Sequence, residues 1–521
     1  MTRRRTIPAW LVAAVLAAVY LIVDPPSADL AAQTYRTWLF EHHGFVLWDN
    51  GWYGGHHNPA YSILFPPLAA LTSPQLVGAV AAVVSAWAFE RLVAEKPGGR
   101  PAAYWFAIAT QVSLVTGRLT FALGVAFALL AVLALARGRL WWCAIAGAGA
   151  ALASPVAAAF LALALLAWGI PRRRTVATAA LLAATLAPAL LLSVLFPEGG
   201  SFPFVASAFW PTLAGTLLVI AVLWRSAAPG LRIGLGLYAV LLVISAALST
   251  PMGGNAVRLG ALFAGPLAAL TLWPDRRRAL FLLLLPLLYW QWSSPVDDVV
   301  RASGDASVHA SYYDGMLAFL HGRQAAEGPF RIEIPFTDNH WESARVAPTV
   351  PLARGWERQL DRKVNPLFYD GRRLTGQRYL NWLHANAVRY VALADAPIDY
   401  SAAAEAKRVR NGDVPGLREV FHDAHWRVFA VPNPTPLATG ARVVALGHDS
   451  VDLDVPRAGR VHLKVRFTPY WKITRGAGCV MPDGAVDTAS TAIDARRPGR
   501  IRLSTRFSLR RIRATSARCS G

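Results

Sequence analysis

Three stretches do most to limit what this chain can fold into. "PAWLVAAVLAAVYLIV" (Pro8–Val23), "FALGVAFALLAVLALA" (Phe121–Ala136) and "TLLVIAVLW" (Thr216–Trp224) hold no charged residue. As a helix, about seventeen such residues extend roughly 25 Å, close to the ~30 Å hydrocarbon core of a bilayer. Stretches of this kind fill residues 1–292, and the rest of the chain has a soluble composition, which predicts a boundary there. The first stretch is followed by "DPP" and by no small-residue cleavage site. It is therefore expected to remain as an anchor, not to leave as a signal peptide.

A formal charge of +21 would suit nucleic acid, so its placement matters more than its sum. In the apolar part the basic residues clump: Arg3 to Arg5, Arg91 with Lys96 and Arg100, Arg137 with Arg139, Arg172 to Arg174, Arg225 with Arg232, and Arg276 to Arg278. The clumps occupy every second connection, and the intervening ones hold only Arg36, Arg118 and Arg258. Sixteen against three is a positive-inside bias that predicts a cytoplasmic N-terminus. The basicity reads as membrane topology, and no nucleic-acid partner is expected.

With that alternation about eleven spans are expected, near 7–23, 75–94, 101–116, 120–136, 140–153, 155–170, 175–196, 209–224, 233–248, 258–273 and 279–292. An odd number places everything after Trp292 outside. The expected fold is thus a polytopic α-helical membrane domain over 1–292, with a large first outward loop at 24–74, followed by two extracytoplasmic domains. Over 293–436, "FRIEIPF", "VRYVALA" and "WRVFAVP" read as strands and "QRYLNWLHANA" as a helix, an α/β domain. Over 437–521, "DSVDLDVP", "GRVHLKVRFTP" and "GRIRLSTRFSL" alternate apolar and polar residues, as in an antiparallel β-sandwich. The alternation puts Asp452 and Asp454 on one solvent-facing side of a strand. Cys143 falls within a span, whereas Cys479 and Cys519 both fall outside; the latter two are expected to form a disulfide worth about 3–4 kcal/mol.

No motif of soluble catalysis is present: the sequence has no P-loop, HExxH or paired CxxC. The remaining chemistry lies on outward connections. These hold Asp24, Asp29, Gln33, Arg36, His42, His43, Asp49, Trp52, Tyr53, His56 and His57 in the first loop, then Arg118, Glu198, Asn255 and Arg258. A charge at mid-span costs about 2.5–3.5 kcal/mol, so these groups are expected at the interface or in a wet cavity. Arg118 and Arg258 sit beside glycines and tight loops, where a guanidinium fixed in place can fork onto a phosphate; snorkelling to headgroups is the plainer alternative. "DLAAQTYRTWLFEHHG" reads as an amphipathic helix on the outer membrane surface, and Asp29 as either a functional carboxylate or its N-cap.

The order "DPPSADLAAQTYR", amphipathic loop helix, Gly/Trp/Tyr-rich segment and "ILFPPLAAL" resembles the opening of the GT-C superfamily of polyprenyl-phosphate-dependent glycosyltransferases. It is most similar to the bacterial branch with the pyruvoyl-tetrahydropterin-synthase-related membrane domain and to YfhO-type membrane proteins. "WRVFAVPNPTPLA" and "VRFTPYWKITRGAGCVMPDG" resemble the outside module of that group. The resemblance implies transfer of a sugar from a polyprenyl-phosphate donor to a cell-envelope glycan or lipid, on the outer face of a bacterial plasma membrane. It makes Asp29 the candidate base, Asp24 the second candidate, and Arg36, Arg118 and Arg258 the candidate phosphate ligands. Gln33, His42, His43, Asp49, Trp52, Tyr53, His56, His57, Glu198 and Asn255 would shape the cavity.

The first loop has no Asp-x-Asp or Glu-x-Asp pair, so no metal site is assigned. The cofactor stays open, with a divalent ion on the four loop histidines as the alternative. Two outer stretches, "TDNHWESA" and "ARGWERQLDRKVNP", offer His340, Trp341, Glu342, Arg354, Trp356, Glu357 and Arg358 as acceptor-side candidates; an internal salt-bridge network explains the same composition. A non-catalytic reading, as a transporter or an envelope-assembly scaffold with a degenerate transferase fold, is the alternative function. A transporter would show internal repeats and polar groups near the midplane, and the sequence has neither clearly.

Overall fold

Runs of Ala, Leu and Val offer a backbone amide no side-chain partner, and the chain answers by bonding to itself as helix. The computed structural model describes residues 7–273, 275–369, 373–485 and 489–520, and the chain divides into two units. The first comprises Met1–Gln33, Tyr61–Ser193 and Gly200–Ser303. The second comprises Thr34–Ala60, Val194–Gly199 and Gly304–Gly521.

The helices of the first part of the chain are α1 (Ala9–Val23), α2 (Ala28–His43), α3 (Phe65–Ala70), α4 (Pro74–Val93), α5 (Gly99–Ala109), α6 (Gln111–Val115) and α7 (Leu119–Ala136). They continue as α8 (Leu140–Ala153), α9 (Pro155–Gly169), α10 (Thr175–Leu195), α11 (Ala206–Leu223), α12 (Pro229–Ala247), α13 (Val257–Leu272) and α14 (Arg277–Ser303). Their starts follow from local chemistry: Ser73 accepts the Leu76 amide at 3.1 Å ahead of α4, whose first residue is Pro74. Small residues let the helices close on one another, and Phe89, Phe106 and Phe263 stack among buried alanines such as Ala86, Ala88 and Ala107.

Every one of the eleven expected stretches is helical, with 101–116 broken into α5 and α6 at Thr110. Among the described residues, seven helices are long and apolar enough to cross a membrane: α4, α7, α10, α11, α12, α13 with the turn before it, and α14. The pair α1 and α2, bent by 79°, makes an eighth if counted as one span. Asp24 causes the bend by taking a left-handed φ of 43° at the end of α1, after which Pro25 and Pro26 cannot extend the helix.

Two expectations need correction. The last helix does not stop at 292; α14 runs through Pro295 to Ser303, held beyond the proline by an Arg301–Asp298 pair one turn apart. Nor is α2 one-sided: Leu30 to Gln33, Tyr35 to Thr37 and Leu39 are all buried, so only its C-terminal end faces solvent. Its polar side chains find internal partners, which removes the need for a wet face.

In the second unit, a hairpin of β1 (Trp48–Asp49) and β2 (His56–His57) pairs Trp48 with His57 and Asp49 with His56. Tyr53, Gly54 and Gly55 take φ of 59°, 68° and 123° in its turn, and a Cβ at Gly55 would lie 2.4 Å from the Trp48 ring. This explains the clustered glycines of the first loop. Beyond 303 come α15 (Asp314–Glu327), β3 (Arg331–Glu333), α16 (Glu342–Arg345), α17 (Arg358–Val364), α18 (Gly376–Ala385), β4 (Val388–Ala394), α19 (Ala403–Arg410), β5 (Arg418–His422) and β6 (Trp426–Ala430). They form a sheet of order β3-β4-β6-β5, parallel only at β3 and β4, packed by Tyr379, Leu383, Val391 and Phe429.

The C-terminal strands are β7 (Ala438–Thr439), β8 (Arg442–Leu446), β9 (Ser450–Val455), β10 (Gly459–Arg466), β11 (Trp471–Arg475), β12 (Gly478–Asp483), β13 (Ser490–Ala495), β14 (Gly499–Thr505) and β15 (Arg518–Ser520). They make two antiparallel sheets, β15-β12-β13-β10-β7 and β11-β14-β9-β8, whose inward residues share one core. Val451, Leu453 and Val455 point in, and Asp452 and Asp454 point out toward Arg502 and Arg442, as the alternation predicts. Trp48 of the hairpin belongs to this core. Residues 34–60, assigned by the sequence to the membrane domain, therefore pack with the second unit. Cys479 and Cys519 face each other on β12 and β15 and are joined as a disulfide.

Candidate functional site

In the first unit, the structure brings three of the expected residues together. Asp29 lies in the first turn of α2, not at its cap position, and accepts the Arg118 Nε–H at 3.3 Å. Arg118 immediately precedes α7, with Gly117 before it at φ 69° and packed against the Leu30 amide. Arg258, in the first turn of α13, lies over the Phe121 ring and within electrostatic reach of Arg118, Asp29 and Tyr61. The Asp29 and Arg118 side chains keep 34% and 26% of their surface, so the pair is open to a ligand. Two guanidinium groups against one carboxylate leave a local excess of positive charge, the setting that attracts a phosphate.

Sequence reasoning missed Asp298 and Arg301, which the continued α14 delivers to the same group: Asp298 interacts with Arg118, Asp29 and Arg301. The signal was available in "SSPVDDVVRAS", where Asp297 and Asp298 stand four and three positions before Arg301, the spacing of neighbours on a helix face. Gln33 reaches the Tyr61 hydroxyl at 3.4 Å in the same unit. Asp24, the second candidate base, is exposed and accepts a hydrogen bond from Gln75. Asn255 bonds back to the Pro251 carbonyl and closes its own short turn.

The other expected residues fall in the second unit, in two kinds of setting. Arg36 forms an ion pair with Glu357 at 3.2 Å and lies over Trp52. Asp49 is fully buried, accepting from the Tyr35 hydroxyl at 2.8 Å and the Gly51 amide at 2.9 Å, with His448 Nδ1 at 2.8 Å. Burial opposes its ionisation, but His448 and His56 outweigh that and hold the carboxyl below its usual range. Trp52 stacks on Tyr35 and His56, and the Tyr53 hydroxyl bonds the Gly355 and Glu357 carbonyls. Glu198, expected in an open cavity, is instead buried between His57 at 2.9 Å and Arg466 at 3.4 Å. Burial pushes its pKa up, and Arg466 with His57 more than reverses this, bringing it down to about 2.

The histidines are dispersed in their roles. His42 bonds the Trp38 carbonyl at the exposed end of α2, His43 packs on the His448 ring, His56 touches the Asp49 carbonyl, and His57 reaches Thr468. Among the described residues, no group of three or more His, Cys, Asp or Glu could hold a metal ion.

The acceptor-side candidates form a buried ionic network. Arg354 forks onto Asp361, reaches Glu405, and lies between the Phe336 and Phe368 rings at 4.1 and 4.0 Å. Arg358 forks onto Asp399 at 2.9 and 2.8 Å. His340 stacks on Trp356 with 3.6 Å between centroids and lies between Asp399 and Glu342. Burial disfavours its charged form, and the two carboxylates prevail and raise its pKa. Glu342 accepts from Thr337, and Arg345 covers the Trp341 ring. The charged groups of these stretches thus pair largely with one another, while His340 Nδ1, Trp341 Nε1 and Glu342 Oε1 are buried with no hydrogen-bond partner among the described residues. No family model matches the chain, and no curated protein matches its sequence.

Proposed function

We propose that the chain is a multi-pass protein of a bacterial plasma membrane that transfers a sugar from a polyprenyl-phosphate donor to an envelope glycan or lipid. In this reading the eleven helical stretches are spans, the N-terminus is cytoplasmic, and the two C-terminal domains are extracytoplasmic. The grouping of Asp29 with Arg118 and Arg258 carries the proposal, because it supplies the two things such a transfer needs in one accessible place. The acceptor hydroxyl oxygen attacks the sugar C1 as the bond from C1 to the phosphate oxygen breaks. The polyprenyl phosphate leaves with the electron pair, and Asp29 takes the hydroxyl proton. Arg118 and Arg258 stabilise the departing phosphate, which competes with Asp29 for Arg118 and so frees the carboxylate.

The same ion pair favours a second reading. A carboxylate already bound by an arginine is a helix-to-helix clasp, and a non-catalytic envelope scaffold would need nothing more. Replacing Asp29 with Asn distinguishes the two: membranes carrying the variant would insert it normally yet leave a polyprenyl-phosphate-linked sugar unconsumed. Unchanged donor consumption and unchanged envelope glycans would leave the scaffold reading standing.

A further inference from the structure

A cavity of about 430 Å³ opens in the first unit, lined by residues of α4, α7, α9, α11, α12, α13 and α14. One end is marked by Leu92, Val132, Trp168, Arg172 and Leu231, which lie beside basic connections, and the other by Leu259, Gly260 and Trp290. Small residues create the space: Ala128, Ala157, Ala164, Gly230 and Gly234 line it where larger side chains would fill it. Its wall offers a polar ligand little besides the Trp290 Nε1–H, which is buried with no hydrogen-bond partner among the described residues. Thr216 donates to the Thr212 carbonyl, and the Tyr238 hydroxyl is taken by the Ala256 carbonyl and the Gly260 amide.

Arg172 is the single charged residue of the lining, and it stands at one end. Its guanidinium covers the Trp168 ring, one of five such pairs among the described residues of the basic connections, with Arg91 on Trp87, Arg100 on Tyr104, Arg232 on Trp224 and Arg277 on Trp273. Arginines stacked on interfacial aromatics sit at headgroup depth and draw anionic lipid. An apolar slot with a cation at one mouth is complementary to a hydrocarbon chain ending in an anion.

We propose that this cavity holds an acyl chain of an anionic phospholipid from the cytoplasmic leaflet, with the headgroup phosphate on Arg172. Asp29, Arg118 and Arg258 are not among its lining residues, although Leu259 at the far end directly follows Arg258, and the proposal rests on the membrane placement proposed above, not on sugar transfer. The test is native mass spectrometry of the full chain in detergent, titrated in turn with dioleoyl phosphatidylglycerol, dioleoyl phosphatidylcholine and undecaprenyl phosphate. Phosphatidylglycerol is expected to be retained in preference to both others. Arg172→Gln, at an exposed position, would weaken it about fivefold, the loss of one cation from the surface. Ala164→Trp, also at an exposed position, would expel the lipid by filling the slot. Equal retention of phosphatidylcholine, preference for undecaprenyl phosphate, or indifference to both substitutions would overturn the proposal. A chain that leaves cells without detergent would instead remove the membrane placement itself.

Discussion

Asp29 and Arg118, 89 positions apart in sequence, meet in one ion pair at 3.3 Å whose two side chains both stay partly open. The pair explains why a carboxylate follows the first apolar helix so closely: it sits where the chain turns back toward two cationic loops. Under the transferase reading, Asp29→Asn would lower sugar transfer by about 10²-fold or more with donor binding kept. Arg118→Gln and Arg258→Gln would instead weaken donor binding, each by about tenfold, because each removes a charge-assisted contact to phosphate. Transfer rates measured against donor concentration in membranes separate the two effects.

Arg354 faces Asp361 and Glu405 in a fully buried setting. Arg354→Met would strand two carboxylates away from water and cost about 3–5 kcal/mol, read as a large fall in the melting temperature of the purified protein. Exposed pairs such as Arg460 with Asp494 would shift it little when broken, about 0–1 kcal/mol.

Glu198 gives an acid-side prediction. Its folded pKa lies near 2 and its ordinary value is 4.5, so the stability it contributes is present above 4.5 and is lost as pH falls toward 2. Glu198→Gln would flatten that limb of a stability-against-pH curve while lowering the plateau. His448 acts in the opposite sense. Asp49 raises its pKa above 6.5, so its contribution is full below 6.5 and disappears as pH rises.

Glu333 and Glu405 add a second loss at higher pH. Burial pushes both carboxyls up, Glu405 to about 7, and neither oxygen of Glu333 has a hydrogen-bond partner. The folded chain therefore keeps their protons longer than the unfolded chain does, and stability falls as pH rises from the carboxylate range through 7. Glu333→Met would relieve this, and the variant is expected to melt higher than the parent at pH 8, measured by thermal unfolding.

Breaking the Cys479–Cys519 bond by Cys479→Ser would cost about 3–4 kcal/mol. A non-reducing gel would show the bond in the parent as a mobility shift removed by thiol.

The helical stretches were legible because a largely uncharged run of helix length carries its own instruction: each expected stretch is helical, and among the described residues seven helices, or eight with the bent pair, are long and apolar enough to cross a membrane. The disulfide was legible as well. What stayed hidden depends on remote partners. Nothing near Trp48 announces that it will enter a core built from Val451 to Leu503, and Glu198 looks like a loop residue until Arg466 is known. The α2 pattern suggested one wet face because Gln33 and Arg36 are polar, yet both are buried, and Glu357, the partner of Arg36, lies far along the chain. The sequence placed the end of the last span at 292, and the helix runs on through Pro295, with Asp298 and Arg301 paired beyond it.

The pairing of Asp49 with His448 across 399 positions also sets a timetable for making this protein. At synthesis rates of about 5–20 residues per second, the hairpin of residues 48–57 waits roughly 20–80 s for the strands that cover it. During that interval Trp48 stands uncovered and Asp49 lacks its imidazole, a condition that invites holding factors on the side where the segment waits. A ribosome stalled before residue 448 would release a chain whose helices are complete but whose earliest loop has no home.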